Sequence, residues 1–390
     1  MTAWRERFEA DAAVWRSEGL LRRRRVVRPL SATQVEIDGK IVTAFASNDY
    51  LGLSRHPLLI EAIAEGARLH GAGAGASHLV SGHHVVHDTL EQELARFVGK
   101  PAALSCMNGY VANLALLTTL VGEGDAIFSD QLNHASIIDG ARLSLAEVEV
   151  YPHADVVALE QLLRLSRARS KLVVTDAVFS MDGDVAPLQE LLALCERYDA
   201  LLVVDDAHGF GVRGPQGRGS LHALGLQSEC LVYMGTLGKA AGLSGAFIAA
   251  EQLIVDRLIQ RARSYVFSTA GSPALAHATL VALDLIRAAD DARERLAAYR
   301  ARLQSAASSW LPYLLLASTT PIQPLVIGDN TSVIEITEEL LRDGLWVPAM
   351  RPPTVAPGSA RLRIALSAAH TTANIERLCA ALSQVAASRP

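Results

Sequence analysis

The sequence predicts an α/β protein with a large, mostly parallel sheet domain and a smaller α+β domain at the carboxyl end. Short aliphatic or β-branched runs alternate with helix-length segments over residues 55–285, which is typical of parallel strands joined by helices. A chain of 390 residues also divides into more than one folding unit. We therefore predict an N-terminal arm over 1–54, a large domain over 55–285 and a C-terminal domain over 286–390.

The arm begins with a predicted amphipathic helix and ends in a short extended ribbon over 34–45. Between them stands a run of four arginines, Arg22 to Arg25. Such a run is either a solvated helix end or a contact for an anionic ligand, and both interpretations stay open.

The large domain contains six predicted strands. They are AALSC (102–106), DAIFSD (125–130), KLVVTD (171–176), LLVVDD (201–206), CLVYMG (230–235) and LSGAFIAA (243–250). The segment 188–198 has apolar residues at the spacing of a helix that covers a sheet. Ligands of such open sheets bind beyond the carboxyl ends of the strands, so the residues that end these runs are the first candidates for chemistry.

The C-terminal region mixes helices and strands, which predicts a smaller α+β domain. Its predicted elements are a helix over 288–307, a strand over 322–328, a helix over 332–343, extended segments over 345–350 and 360–366, and a final helix.

Composition excludes several classes of function. The chain has 36 basic against 41 acidic residues, and it lacks the uncompensated basic surplus that nucleic-acid binding needs. Its apolar stretches are shorter than the about 18 residues that span a bilayer, and acidic residues interrupt the N-terminal segment. Its four cysteines form no C-x-x-C pair, as in proteins with reduced thiols. We expect a cytoplasmic protein with no nucleic-acid or membrane partner.

Lys239 is the candidate nucleophile. The chain has only four lysines, Lys40, Lys100, Lys171 and Lys239, and the last of them follows a predicted strand in the loop TLGKAAG. Glycine and alanine let a ligand approach the backbone closely. Desolvation in such a loop lowers the pKa of a lysine and frees its amine to form a Schiff base.

Other polar residues follow neighbouring strands. Asp205 and His208 end one strand before a glycine-rich turn, which suggests an acid/base pair, a metal site, a cofactor anchor or only a capped turn. Gly109 opens a predicted helix whose N–H groups can bind a phosphate, with help from the hydroxyl of Thr236. His134 lies just past another strand end.

Two further motifs carry no predicted site. The histidines at 78, 83, 84 and 87 suggest zinc, but no cysteine or acidic residue completes a known spacing, so no metal site is predicted. The glycines of 71–75 do not lie between a strand and a helix with an acidic residue about 20 positions on, so no dinucleotide fingerprint is present.

Long motifs throughout the chain resemble the α-oxoamine synthases, which are pyridoxal-phosphate enzymes of the fold-type I aminotransferase architecture. The resemblance spans residues 20–380. The motifs are SNDYLGLSRHP (47–57), GASHLVSGHHVVHDTLEQELA (75–95), VFSMDGDVAPL (178–188), VVDDAHGFGVRGPQGRGS (203–220), GTLGKAAGLSG (235–245) and RPPTVAPGSARLRIALSAAHT (351–371).

The resemblance implies roles for the residues that match these motifs. Lys239 would bind the aldehyde of pyridoxal phosphate, Asp205 would keep its pyridine nitrogen protonated, and His134 would stack over the ring as a catalytic and substrate-binding residue. His208 and Ser180 would address the phenolic oxygen. The residues implied to hold the phosphate are Gly109, Tyr110 and Thr236, with Thr269 reaching the phosphate in a partner subunit.

The resemblance also implies the substrates. Asn48 and Arg363 would bind an amino-acid carboxylate, and Arg22 and Thr354 would contact the substrate. The implied enzyme is a homodimer that condenses L-alanine with a pimeloyl thioester of coenzyme A or of an acyl carrier protein. A glycine-using member of the family is the alternative, and a non-catalytic binding protein on the same fold is a different class.

Two positions depart from the family's pattern. Asp176 stands where glutamate is usual, and its shorter side chain puts any hydrogen bond from that carboxylate in question. Phe267 stands where tyrosine is frequent, which removes a hydroxyl group.

Overall fold

A computed structural model describes residues 2–389 of the chain. By its internal contacts the chain forms two compact units. The first unit consists of the residues up to Tyr50, Met181–Asp184 and the residues from Glu294 onward. The second unit consists of Leu51–Ser180 and Val185–Arg293. The three-part division over 1–54, 55–285 and 286–390 stays a prediction.

Helices and strands alternate along most of the chain. The strands are β1 (Arg28–Pro29), β2 (Gln34–Ile37), β3 (Lys40–Ala44), β4 (Ala102–Cys106), β5 (Ala126–Asp130), β6 (Glu147–Tyr151), β7 (Lys171–Asp176), β8 (Ala200–Asp205), β9 (Leu231–Thr236), β10 (Ala246–Ala250), β11 (Leu314–Leu315), β12 (Ile322–Gly328), β13 (Leu345–Trp346), β14 (Ala349–Met350) and β15 (Ala360–Ala365). The α-helices are α1 (Ala3–Ser17), α2 (Pro57–His70), α3 (Val85–Val98), α4 (Gly109–Leu120), α5 (Ala135–Leu143), α6 (Val156–Leu165), α7 (Leu188–Arg197), α8 (Ser220–Ala223), α9 (Gln252–Arg261), α10 (Arg263–Val266), α11 (Pro273–Arg287), α12 (Asp290–Ala306), α13 (Asn330–Arg342) and α14 (Thr372–Ala387).

The second unit is built on one large sheet. Within residues 2–389 it has seven strands in the order β4-β10-β9-β8-β7-β5-β6. Its pairs are parallel except for the two that β10 makes with β4 and β9. The predicted mostly parallel sheet is therefore confirmed. The carboxyl ends of β4, β5, β7, β8 and β9 lie at one edge.

Apolar side chains on these strands form the core of the second unit. Ile127, Leu172, Val203 and Val232 are completely buried, and they share a cluster with residues of α4 and α9. Strands covered on both faces need apolar side chains in both directions, which is why their sequences are nearly continuous aliphatic runs. Burial of this kind stabilises the sheet by about 25 cal/mol for each Å² of apolar surface removed from water.

The first unit contains two smaller sheets. One has the order β1-β2-β3-β13, in which β13 runs parallel to β3, and the other has the order β11-β12-β15-β14 with antiparallel pairs. Helices α13 and α14 belong to the same unit and bury the apolar side of each helix. No helix in the described part of the chain is long and apolar enough to cross a membrane.

The predicted strands are all present, with ends that shift by up to three residues. The sequence prediction missed β6, an edge strand that alternates glutamate and valine and is mostly exposed. The predicted extended segment 345–350 divides into β13 and β14, which join different sheets of the first unit. Pro348 lies between them and lacks the N–H group that would continue a ladder.

Candidate active site

Lys239 and His208 meet at the carboxyl edge of the large sheet. Lys239 lies three residues beyond β9, and its Nζ is 2.8 Å from Nε2 of His208, which follows β8. His208 is buried and Lys239 is half-buried. The structure thus brings together two of the residues that the sequence predicted. The half-buried amine has a titratable partner within hydrogen-bond distance.

Asp205 presents a buried carboxylate at the end of β8. Its Oδ1 accepts a hydrogen bond from the Ala207 N–H at 2.9 Å, and its Oδ2 accepts one from Nδ2 of Asn113 at 2.8 Å. Both donors are neutral, so they orient the carboxylate without cancelling its charge. Each carboxylate oxygen accepts more than one hydrogen bond, which leaves capacity for a cationic ligand group.

Asp206, the next residue, faces a different environment. Its carboxylate accepts hydrogen bonds from the backbone and hydroxyl of Ser220 and from Tyr233, and burial raises its pKa to about 6. A Cβ at Gly209 would lie 2.0 Å from Oδ1 of Asp206, and one at Gly219 would lie 2.4 Å from Oδ2. The glycine-rich turn after β8 therefore makes room for this carboxylate. Asp206 is a structural residue.

Asn113 connects Asp205 to His134. The two hydrogens of its amide reach Asp205 and the hydroxyl of Ser136, the latter at 2.8 Å. Ser136 Oγ lies 2.7 Å from Nδ1 of His134. Sequence analysis missed Asn113 and Ser136 because both occupy helices and neither ends a strand. In α4 (GYVANLALLTTL), Asn113 is a polar residue among apolar ones, and such a residue needs a hydrogen-bond partner when it is buried. This pattern was the only signal in the sequence that pointed to Asn113.

His134 is held as a neutral imidazole. Burial lowers its pKa, the Asp205 carboxylate opposes that shift and the Lys239 ammonium adds to it. A neutral ring is suited to lie against a flat aromatic ligand without repelling a cation.

Asp176 fixes the backbone of His134. Its Oδ2 accepts a hydrogen bond from the His134 N–H at 2.7 Å, and its own N–H donates to Oδ1 of Asn133 at 2.9 Å. The shorter side chain therefore still makes a hydrogen bond at this position. Burial raises the pKa of Asp176 well above its usual value, and the nearby Asp205 carboxylate raises it further.

The start of α4 and the loop after β9 supply groups for an anion. Asn108 caps α4 by accepting a hydrogen bond from the Val111 N–H at 2.9 Å, which leaves the amides of Gly109 and Tyr110 in the first turn. The N-terminus of a helix favours negative charge. The phenol of Tyr110 is exposed and donates to Asp139.

Three more predicted residues are Thr236 and Ser180, which end or follow strands of the large sheet, and Thr269, which does not. Thr236 Oγ1, at the end of β9, donates to the Gly245 carbonyl at 3.1 Å, and Ser180 is half-buried four residues beyond β7. Thr269 is exposed, and its backbone pairs with Ser77. In the described residues, Thr269 makes no hydrogen bond to the groups above. Phe267, two residues earlier, is 73% exposed.

Four of the five predicted substrate residues, all except His134, form two pairs within the first unit. Arg22 Nη2 donates to Thr354 Oγ1 at 3.0 Å. The buried Arg363 donates through Nη1 to Oδ1 of Asn48 at 3.1 Å, and the same Asn48 oxygen accepts from the Tyr50 hydroxyl at 3.2 Å. Burial raises the pKa of Tyr50 and Arg363 lowers it, so the phenol stays neutral. A buried guanidinium is well suited to a carboxylate ligand.

The residues of the second unit fit pyridoxal phosphate. Lys239 offers an amine for an aldehyde, Asp205 a buried anion for a protonated ring nitrogen, and the start of α4 a site for a phosphate. In addition, Oδ1 of Asn113 is buried without a hydrogen-bond partner among residues 2–389, so one acceptor is left for a bound donor.

The raised pKa of Asp176 predicts how stability depends on pH. A carboxyl whose pKa is higher in the folded protein binds its proton more tightly there, so its contribution to stability falls as pH rises above the ordinary value. Asp176→Asn removes this penalty and keeps an oxygen for the His134 N–H. Between pH 5 and 8, the unfolding temperature of Asp176→Asn should rise relative to the unsubstituted protein.

Asp329→Asn provides the matched control. Asp329 caps α13, and hydrogen bonds from Ser332 lower its pKa, so its titration ends below pH 5. The difference in unfolding temperature between Asp329→Asn and the unsubstituted protein should stay constant between pH 5 and 8. If the unfolding temperature of Asp176→Asn relative to the unsubstituted protein stayed constant or fell as pH rose, this would contradict the raised pKa of Asp176.

Known proteins share this architecture. A family model for aminotransferase class I and II matches residues 40–382. An 8-amino-7-oxononanoate synthase 1 of Polaromonas sp. is 54% identical over 98% of this chain and 96% of its own. A serine palmitoyltransferase from S. paucimobilis with bound PLP–myriocin superposes with a TM-score of 0.92, at 29% identity, over 98% of this chain and 97% of its own. An 8-amino-7-oxononanoate synthase from Francisella tularensis superposes with a TM-score of 0.76, at 31% identity, over 88% and 97%. The chain thus belongs to the aminotransferase class I and II family and, within it, to the 8-amino-7-oxononanoate synthases.

Proposed function

We propose that this chain is a pyridoxal-phosphate-dependent acyltransferase of biotin biosynthesis. It condenses L-alanine with a pimeloyl thioester and releases carbon dioxide and the thiol carrier to give 8-amino-7-oxononanoate. The observation that carries the proposal is the contact of Lys239 Nζ with His208 beside the buried Asp205, in a chain 54% identical to a synthase of that name.

When bound, pyridoxal phosphate supplies an electron sink for negative charge at the α-carbon of the amino acid. Lys239 would hold the aldehyde of the cofactor, and its Nζ, when free, would remove the α-proton of the amino acid. His208, 2.8 Å away, orients this amine and exchanges a proton with it.

Asp205 holds a proton on the ring nitrogen. Its buried carboxylate favours the protonated form of a nearby base, and Asn113 and Ala207 keep it oriented. His134 offers the neutral face of its ring, and Ser136 and Asp176 fix that ring in place. Gly109, Tyr110 and Thr236 would hold the phosphate, and Ser180 and His208 would address the phenolic oxygen.

The substrate residues of the first unit supply positive charge and hydroxyls. Arg363 binds the amino-acid carboxylate, with its guanidinium positioned by Asn48. Arg22 and Thr354 contact the acyl substrate. Within the arginine run, Arg25 also pairs with Glu338, so two of the four arginines are held by other residues of this unit. Either phosphorylated carrier, coenzyme A or an acyl carrier protein, suits this positive charge.

The active form is a homodimer in which Thr269 reaches the cofactor phosphate of the partner subunit. Thr269 is exposed, and large apolar side chains are exposed nearby in sequence or across the Ser77 bridge, including Val80 at 79% and Phe267 at 73%. Exposed apolar surface of this kind is typical of an interface. The free thiols of the described chain support a location in the cytoplasm.

Replacement of Lys239 tests the catalytic assignment. Lys239→Ala should fold, bind pyridoxal phosphate weakly and show no turnover, because no other lysine among residues 2–389 lies at the carboxyl edge of the large sheet. Borohydride treatment should then leave no cofactor attached to the protein. Lys40→Ala, at an exposed position in β3, should keep both turnover and the attached cofactor. A borohydride-trapped cofactor in Lys239→Ala would overturn the assignment.

Mixed dimers test the shared site. Chains with Lys239→Ala and chains with Thr269→Ala, each impaired alone, should regain activity when they are dissociated and mixed, since one site of the hybrid has both residues. A chain with both substitutions, mixed with Thr269→Ala, should give no gain. Full activity of a monomer in light scattering would contradict the shared site.

Competition between substrates tests the specificity. Alanine should be preferred over glycine by a factor of about 10 to 200, since one methyl group in an apolar pocket contributes about 1–3 kcal/mol. The pimeloyl thioester should be preferred more strongly over acetyl and succinyl thioesters, since each buried methylene adds about 0.8 kcal/mol. Mass spectrometry identifies the product of each amino acid and thioester pair, and the ratio of the product amounts gives the ratio of the specificity constants. A higher constant for glycine with an acetyl or succinyl thioester would favour the glycine-using alternative.

A further inference from the structure

Three histidines outside the strand edge form a compact cluster in the second unit. His78, His83 and His87 each bring one ring nitrogen to within 4.8 Å of those of the other two. The residues 78–82 form a π-helical turn that leads back toward the start of α3. A Cβ at Gly82 would lie 2.0 Å from the Ala76 carbonyl oxygen, so this tight turn requires glycine.

Neighbouring groups hold two of these rings in place. His78 stacks on Tyr265 with the ring centroids 4.8 Å apart and the planes 12° from parallel. His87 lies with Nε2 3.0 Å from the Gly271 carbonyl oxygen, to which it donates, and this leaves its Nδ1 as an acceptor. A backbone carbonyl that fixes the outer nitrogen is the usual support of a histidine metal ligand.

The rings are also in the protonation state that metal binding needs. Burial lowers the pKa of His78 to about 4, and burial lowers the pKa of His83 and of His87 as well. Neutral imidazoles offer lone pairs. Nδ1 of His78 and Nδ1 of His83 lie 2.8 Å apart and share one hydrogen.

We propose that His78, His83 and His87 form a binding site for one divalent transition-metal ion of the zinc type. Imidazole nitrogens are preferred ligands of this class of ion. A cavity of about 80 Å³ lined by His78 and His87 adjoins the cluster and has room for a metal-bound water in the fourth position.

Metal binding at this site requires one hydrogen to move, two ring nitrogens to separate slightly and one hydrogen bond to be replaced. The hydrogen shared by His78 and His83 moves through solvent to Nε2 of the same ring, so no net proton is released. The two nitrogens separate from 2.8 Å to about 3.3 Å, as metal–nitrogen distances of about 2.0–2.1 Å require. His87 binds through Nδ1, which exchanges the hydrogen bond from the His84 N–H for the metal.

The site was not predicted because no cysteine or acidic residue completes a known zinc spacing around the histidines of H-x4-H-x3-H. The π-helical turn brings the first two histidines together, and that turn has no clear signal in the sequence. The cluster uses none of the residues assigned to catalysis or cofactor binding, although Val80 of its turn belongs to the proposed dimer interface.

Metal titration of the holoenzyme tests the proposal. The protein, free of any histidine tag and treated with a chelator, is titrated with Co²⁺ and Zn²⁺. We expect one ion per chain, visible absorption from bound Co²⁺, and a higher unfolding temperature with Zn²⁺. His78→Gln and His83→Gln should each weaken binding at least tenfold. His84→Gln, the neighbouring histidine outside the cluster, should bind as the unsubstituted protein does.

X-ray absorption of the unsubstituted zinc form needs no variant. Nitrogen ligands at about 2.0–2.1 Å would support the proposal, and sulfur ligands at about 2.3 Å would overturn it. Absence of stoichiometric binding, or an equal loss of affinity in His84→Gln and His83→Gln, would also overturn it. Unfolding temperature and cofactor absorbance without metal establish that each variant is folded.

Discussion

The parallel alignment of five strands determines where chemistry takes place in the second unit. Because β4, β5, β7, β8 and β9 point the same way, the residues that follow them meet at one edge of the sheet. Residues as distant in sequence as Asn113 and Asp205 therefore come within hydrogen-bond distance. The aliphatic core of the sheet fixes this edge, so the positions of the polar groups follow from apolar packing far from them.

The carboxyl groups of Asp176, Asp205 and Asp206 lie at or near this edge, but their surroundings differ. Asp206 accepts hydrogen bonds from Ser220 and Tyr233 and stabilises the turn, whereas Asp205 accepts hydrogen bonds from Ala207 and Asn113 at the carboxyl end of β8. Asp176 lies near Asp205, and its raised pKa favours the protonated form. In our proposal it is Asp205, and not Asp176, that pairs with the ring nitrogen of the cofactor.

The sequence was sufficient to predict strand-end residues but not the residues between them. Lys239, His208 and Asp205 follow aliphatic runs, so local pattern and resemblance both identified them. Asn113 and Ser136 act from helices, and their role depends on which helix faces which strand, a tertiary property that local pattern does not contain. The edge strand β6 was missed for a similar reason, since its alternating glutamates resemble a solvated segment until β5 is seen beside it.

The antiparallel direction of β10 has a consequence for the loop that carries Lys239. A parallel strand after β9 would need a crossover that returns the chain from the opposite edge. Because β10 instead runs back directly, both ends of the loop stay at the same edge, where Leu237 N–H donates to the Gly245 carbonyl and Gly242 N–H to the Lys239 carbonyl. A Cβ at Gly242 would lie 2.5 Å from the backbone nitrogen of Ser54, so the loop is also packed against its neighbour. The lysine can then change its bonding partner by rotation about side-chain bonds alone, with its Cα held still. In the reaction that we propose, little backbone entropy would be lost each time the Lys239 amine returned to the reacting carbon, and its effective concentration there would be raised.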